Sequence, residues 1–213
     1  SGTAYGYWIN QRVQTVPAKG SQATQTDVIS IGATTGGTQQ YLNGDISEIR
    51  IYKGALTETE ITNIENTLID KWLSFRTWTF ASGVESWTTG NRISSFANTG
   101  NGTVSGNITG SGDRANIQSP TALNINTDHA NRIQIRLKNS TNTTQGYIGF
   151  RIGSSSGYDY QGFNVVANSD FIVYEIDMST NFDWNGTLNQ LRILPAYNAN
   201  SGSFEIDYIR VLE

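Results

Sequence analysis

The sequence predicts an all-β protein, built mainly as a two-sheet β-sandwich or jelly roll. Three observations carry this. Between residues 76 and 212, short runs of alternating apolar and polar residues recur, separated by clusters of Gly, Asn, Ser and Thr. That spacing belongs to sandwiches and jelly rolls. A single segment, residues 58–72, has helical periodicity instead. Finally, the 213 residues include 22 Gly, ten Tyr and five Trp but only 15% charged residues, below the roughly 25% of an average soluble domain.

The same composition excludes several functions. Without Cys the chain has no disulfide, thiolate zinc site or cysteine nucleophile. One His excludes a multi-histidine metal site. A net charge of −4 argues against general nucleic-acid binding, which needs a basic face. No apolar run approaches the roughly 20 residues of a membrane span. With 37% hydrophobic residues and small net charge, the chain is not disordered. Abundant Thr, Asn, Gly and aromatics suggest a secreted or cell-surface protein. The start, Ser1-Gly2-Thr3, fits a processed chain or a piece of a longer one.

Taken in order, the first expected strands are residues 4–9, 27–31 and 45–52, the last preceded by a tight turn at Asn43-Gly44. The helix follows. Thr57 and Glu60 form a T-x-x-E capping box, in which each side chain takes up an orphan backbone amide. Ile61, Ile64, Leu68 and Trp72 then give one apolar stripe. Three strands and a helix make a thin core. Residues 1–75 therefore read as an incomplete domain that leans on other structure, with a boundary near 73–77.

Beyond it, strands are expected at 76–81, 92–97, 103–109, 115–118, 130–138, 145–152, 161–166, 171–177, 190–194 and 202–212. In two of them the alternation fixes the faces. Ile133, Ile135 and Leu137 point inward, with Arg132, Gln134, Arg136 and Lys138 outward. Ile148, Phe150 and Ile152 point inward, with Tyr147 and Arg151 outward.

Two family resemblances follow from particular residues. Tyr41-Leu42-Asn43-Gly44-Asp45-Ile46-Ser47-Glu48-Ile49-Arg50-Ile51-Tyr52, then Ala55-Leu56-Thr57 and Asp70-Lys71-Trp72, resemble the C-terminal end of a laminin-G-like (concanavalin-A-like) jelly roll. The first half of that sandwich is missing. Trp78-Thr79-Phe80 with Glu85-Ser86-Trp87, and the closing Phe204-Glu205-Ile206-Asp207-Tyr208-Ile209-Arg210-Val211, resemble bacterial carbohydrate-binding modules of the galactose-binding-like sandwich type. The resemblance implies an incomplete laminin-G-like segment at 1–75 and a carbohydrate-binding module at 76–213. It also implies one structural Ca²⁺, with Asp207 and Glu85 as ligands and Asp113 or the carbonyls of residues 80–83 as companions. Hard cations want six to eight oxygens.

Sugar binding asks for aromatic surface and a few placed polar groups. Two regions supply them. One is an outward sheet face with Gln134, Arg136, Tyr147, Arg151, Glu175 and Arg192, whose guanidiniums suit carboxylate or sulfate. The other is a set of loops holding Tyr158, Asp159 and Tyr160, Trp184, and Tyr197. Trp78 and Trp87 read as core residues and His129 as a turn residue. For catalysis there is no E-x-D-x-x-E cluster and no G-x-S-x-G elbow.

The expected function is non-catalytic polysaccharide binding that holds a secreted multidomain enzyme, or a cell surface, against glycan. An acidic or sulfated glycan suits the arginines. Parent-enzyme domains or the missing jelly-roll segment are further expected partners, and nucleic acid and membrane are not. Two alternatives stand beside this: a spacer or adhesion module that contacts protein, and a fragment of a glycoside hydrolase or polysaccharide lyase with its own carboxylates.

Overall fold

A computed structural model describes residues 48–52, 56–68, 71, 74–110 and 114–213, and the backbone of 3–9 and 12–19. The chain divides into two compact units, Ser1–Thr67 and Leu68–Glu213.

In the first unit, β1 (Thr3–Ile9) and β2 (Arg12–Lys19) form an antiparallel hairpin in which Ile9 pairs with Arg12. The second strand escapes sequence reading because Pro17 interrupts it, and proline argues against a strand interior. Residues 27–31 and 45–47 lie outside the described residues, and 48–52 form no strand. Helix α1 (Glu58–Leu68) starts where the capping box puts it. The Thr57 amide donates to Glu60 Oε2 at 2.8 Å, and the Glu60 amide donates to Thr57 Oγ1 at 3.3 Å. The described helix ends at Leu68, and Trp72, the expected end of its stripe, lies outside the described residues.

The second unit is the sandwich. Its strands are β3 (Ser74–Trp78), β4 (Thr88–Thr89), β5 (Ile93–Asn98), β6 (Val104–Thr109), β7 (Ile117–Gln118), β8 (Ile125–Asn126), β9 (Arg132–Ser140), β10 (Gln145–Ile152), β11 (Asp159–Asn164), β12 (Ile172–Asp177), β13 (Thr187–Leu194) and β14 (Ser201–Leu212). One antiparallel sheet runs β12-β9-β14-β6-β5, with β3 on β14. The other runs β11-β10-β13-β7-β4, with β8 on β13. The pieces β4 and β8 are too short for alternation to show.

Between the sheets lie Trp78, Phe80, Trp87, Phe150 and Phe204, with a lining of Ile, Leu and Val. Ile133, Ile135, Leu137, Ile148 and Phe150 are fully buried, as their alternation predicts, whereas Ile152 packs at the core's edge. Strand β14 carries a bulge between Ile206 and Tyr208. A bulge adds one residue and shifts the side-chain alternation. Phe204 and Ile206 point inward before it, and Ile209 and Val211 after it. Asp207 and Tyr208 are left on the outer side of that sheet.

Candidate carbohydrate-binding face

The outer face of the β11-β10-β13-β7-β4 sheet gathers tyrosines. The register sets Tyr147 of β10 opposite Gly162 of β11, and Gly149 of β10 opposite Tyr160 of β11. Each ring thus has a glycine across the strand. A Cβ at Gly149 would come within 2.9 Å of Tyr160 Cε1, and one at Gly162 within 3.2 Å of Tyr147 Cε1. The glycines give the rings room to lie down over the backbone of the sheet, where a side chain would lift them.

Tyr197 joins from the loop after β13, its ring centre 4.8 Å from that of Tyr147. Tyr147 and Tyr160 meet edge to face at 6.4 Å, and the Tyr158 ring lies tilted against Tyr160 at 6.5 Å. Arg114, Tyr147, Tyr160, Leu194 and Tyr197 line an open depression of about 180 Å³. All four tyrosines are half-buried, held by packing yet still reachable.

Beside the depression the face turns cationic. Arg192 sits opposite Gly149 and Arg151 opposite Gln190. Their guanidinium carbons lie 3.7 and 4.2 Å from the centre of the Tyr158 ring. Arg192 donates to the Tyr160 hydroxyl at 3.1 Å, and Arg151 to Gln190 Oε1 at 3.4 Å. The Tyr158 hydroxyl donates to Gln190 Oε1 at 2.6 Å, with Gln118 Oε1 3.3 Å away. Gln190 is itself fixed, since its Nε2 donates to the Ser119 carbonyl at 2.8 Å. Among the described residues, neither arginine has a carboxylate within ion-pair distance. The strands of this sheet carry one carboxylate, Asp159, which is paired with the core residue Phe150.

The structure separates residues that the sequence had grouped. Tyr147, Arg151 and Arg192 share this face with Tyr158, Tyr160 and Tyr197. Gln134, Arg136 and Glu175 stand on the opposite sheet. Alternation tells inner from outer within a strand, but not which sheet a strand joins. On that opposite sheet the charges are paired among themselves: Arg132 with Glu175 at 2.9 Å, Lys138 with Asp170 at 3.9 Å, and Arg136 with Asp207. Gln134 is buried and accepts from Arg210 at 3.1 Å.

Trp184 is not a surface platform. It is 6% exposed, stacks edge to face on Phe150 at 5.0 Å, and donates its indole N–H to the Ala130 carbonyl at 2.6 Å. Burial of the ring outweighs the polar character of its loop. Its neighbour Phe182 is the exposed aromatic there, at 95%.

Of the residues expected to hold calcium, Asp207, Glu85 and the carbonyls of Phe80 and Gly83 each have a protein partner. Asp207 faces the Arg136 guanidinium, so a dication would share its carboxylate with a fixed positive charge. Glu85 accepts from the Thr79 hydroxyl at 3.4 Å. The carbonyls of Phe80 and Gly83 both accept the side-chain amide of Asn98. Asp113 lies outside the described residues. Among the described residues no three His, Asp or Glu side chains gather.

Residues 10–62 match the profile of the concanavalin A-like lectin/glucanases superfamily. This is the family that Tyr41–Tyr52 and Ala55–Thr57 resemble. No curated protein matches the chain in sequence. Among solved structures, the sandwich resembles the CBM1 module of BiXyn10A in its apo form, at 12% identity over 66% of this chain and 98% of that one, with a TM-score of 0.44. It resembles a CBM4 module at 12% identity over 64% and 97%, with a TM-score of 0.46. A third is the family 11 carbohydrate-binding module of the cellulosomal cellulase Lic26A-Cel5E of Clostridium thermocellum, at 15% identity over 65% and 87%, with a TM-score of 0.41.

The sequence reading missed Gln118, Gln190, Gly149 and Gly162. Both glutamines are ordinary polar residues in short strands, and their role needs the β13–β7 and β10–β13 registers. The glycines did carry a signal. Gly146 and Gly149 on one strand and Gly162 on the next are unusual inside strand interiors, and glycine there marks a close approach.

Proposed function

We propose that the second unit binds a polysaccharide on its tyrosine face. The observation that carries this is the pair of reciprocal tyrosine–glycine partners. They lay two rings along the sheet beside Tyr197, around an open depression. A pyranose presents a weakly polar C–H face that packs on an aromatic ring. Its hydroxyls then meet the planar amides and guanidiniums around it. The side chains available, Tyr, Gln and Arg, bind and orient. Glycoside hydrolysis would need two carboxylates facing each other across the sugar, so the reading is of a non-catalytic module. The guanidiniums favour an acidic or sulfated glycan. Its place would be in a secreted multidomain protein, holding an enzyme or a cell surface against its glycan by raising effective concentration.

The test is affinity electrophoresis and calorimetry across neutral, uronate-rich and sulfated polysaccharides. Tyr147→Ala and Tyr160→Ala should each weaken binding by about ten-fold, equivalent to about 1.4 kcal/mol. A wild-type chain that binds no polysaccharide would sink the reading and leave a protein-contacting spacer as its replacement.

A further inference from the structure

The tyrosine face has two ends that differ chemically, and on the glycan reading they imply two distinct subsites. We propose that Arg151 and Arg192, braced by Tyr158, form an anion subsite for a carboxylate or sulfate group borne by the glycan. The depression that Arg114, Tyr147, Tyr160 and Tyr197 line then takes a pyranose face of the same chain.

Three observations converge on the first subsite. Both guanidiniums lie against one ring, at 3.7 and 4.2 Å from its centre, so two like charges share one aromatic partner on a half-buried surface. Like charges at this range repel unless an anion joins them. The described residues supply none: the other sheet pairs Arg132, Arg136 and Lys138 with carboxylates, and no described carboxylate pairs with Arg151 or Arg192. Next, each arginine spends one side-chain hydrogen bond, on Gln190 and on the Tyr160 hydroxyl. A guanidinium has five N–H donors. The Nε atoms of both are buried without a hydrogen-bond partner, which leaves the outer nitrogens to meet a ligand in fork geometry. Third, the site is built rather than loose. Ser119 fixes Gln190, Gln190 and Gln118 receive the Tyr158 hydroxyl, and the ring then holds both cations. A braced site loses little entropy on binding.

Tyr160 links the two subsites, since its ring lines the depression and its hydroxyl receives Arg192. A ligand would therefore present an oxyanion next to a stackable sugar face, as in an alternating or partly substituted acidic polysaccharide.

The experiment uses the full chain and four immobilised probes: polygalacturonate, a κ-carrageenan-type sulfated galactan, and neutral xylan and β-glucan. Arg151→Gln and Arg192→Gln are compared with Tyr197→Ala, and thermal melting confirms that each variant is folded. At least one anionic probe should bind more tightly than both neutral ones. Each arginine variant should weaken it by about ten-fold or more, as loss of a charge-assisted hydrogen bond implies. The same variants should weaken neutral binding by much less than anionic binding and reduce the sensitivity to salt. Tyr197→Ala should weaken all probes alike. Polygalacturonate against the galactan distinguishes carboxylate from sulfate. Neutral probes bound as tightly as anionic ones, with Arg192→Gln changing nothing, would overturn the anion subsite while keeping the glycan face. Binding of no probe would instead remove the glycan reading itself.

Discussion

Arg192 places its guanidinium carbon 3.7 Å from the centre of the Tyr158 ring while donating to the hydroxyl of Tyr160. Two tyrosines thus hold one cation from two sides, and Gln190 in turn holds Tyr158. A lone arginine on a sheet surface would sample many rotamers and contribute little to a defined site. Here the order of the cation comes from a chain of contacts that ends in the backbone of Ser119.

Tyr158→Phe tests that chain. It keeps the ring under both guanidiniums and removes the hydroxyl that Gln190 accepts at 2.6 Å. The expected cost in stability is about 1 kcal/mol, the net worth of one hydrogen bond, read as a shift in urea midpoint. Anionic glycan affinity should fall by less than in Arg192→Gln. An unchanged midpoint would mean that the hydroxyl does not brace the ring.

The two glycines should not respond alike. A Cβ at Gly149 meets Tyr160 Cε1 at 2.9 Å and Arg192 Cβ at 3.1 Å, whereas at Gly162 the nearest atom, Tyr147 Cε1, is 3.2 Å away. Gly149→Ala must therefore displace the ring that joins both subsites, and Gly162→Ala asks only for a small adjustment. Glycan binding should weaken more in Gly149→Ala. Calorimetry on both variants settles the order, and the reverse order would place the ligand away from Tyr160.

Much of the sandwich was legible because several of its longer strands alternate: the segment 145–152 of the sequence is β10 to the residue. The capping box was legible because it is local, Thr57 reaching Glu60 within one turn. The candidate site was legible only in part. Tyr147 and Arg151 were read as outward from their own strand. Their separation from Arg136 and Gln134 depends on strand order, which is long-range information. Trp184 was misplaced because its neighbours are polar, while its ring is drawn inward by Phe150 and by the carbonyl of Ala130.

Trp184→Ala should therefore act on the fold rather than on the ligand. Deleting a buried tryptophan typically costs about 3–5 kcal/mol through the cavity it leaves. The melting temperature should drop steeply. At a temperature where the variant remains folded, glycan affinity should match the wild type. A selective loss of binding in a fully stable variant would return Trp184 to the binding surface.

Arg136 provides the control for charge. It is paired with Asp207 and lies over the Phe171 ring at 4.7 Å, on the sheet opposite the tyrosine face. Replacing it by Gln removes the same formal charge as Arg192→Gln. If anion binding were a diffuse attraction to the net field, both variants would weaken it equally. A built subsite predicts that Arg136→Gln changes anionic affinity by less than two-fold, and side-by-side titrations at one ionic strength decide between the two.

The last prediction concerns the helix start. Hydrogen bonds from the backbone amide and then the hydroxyl of Thr57 hold the Glu60 carboxyl below the usual carboxylate range, which is about 4.3 for glutamate. A carboxyl whose pKa is lower in the folded state contributes its stability above the unfolded pKa. It loses that contribution as pH falls through the folded value. The Thr57 amide should then shift with the same midpoint as the Glu60 side chain when both are followed by NMR between pH 6 and pH 2, a range set by about two units either side of an ordinary glutamate. Thr57→Val removes the hydroxyl but keeps the amide, so the Glu60 midpoint should rise only part of the way towards its ordinary value. A Glu60 that titrates at the ordinary value in both forms would mean that the box does not persist in solution, and that α1 is held by its half-buried face alone.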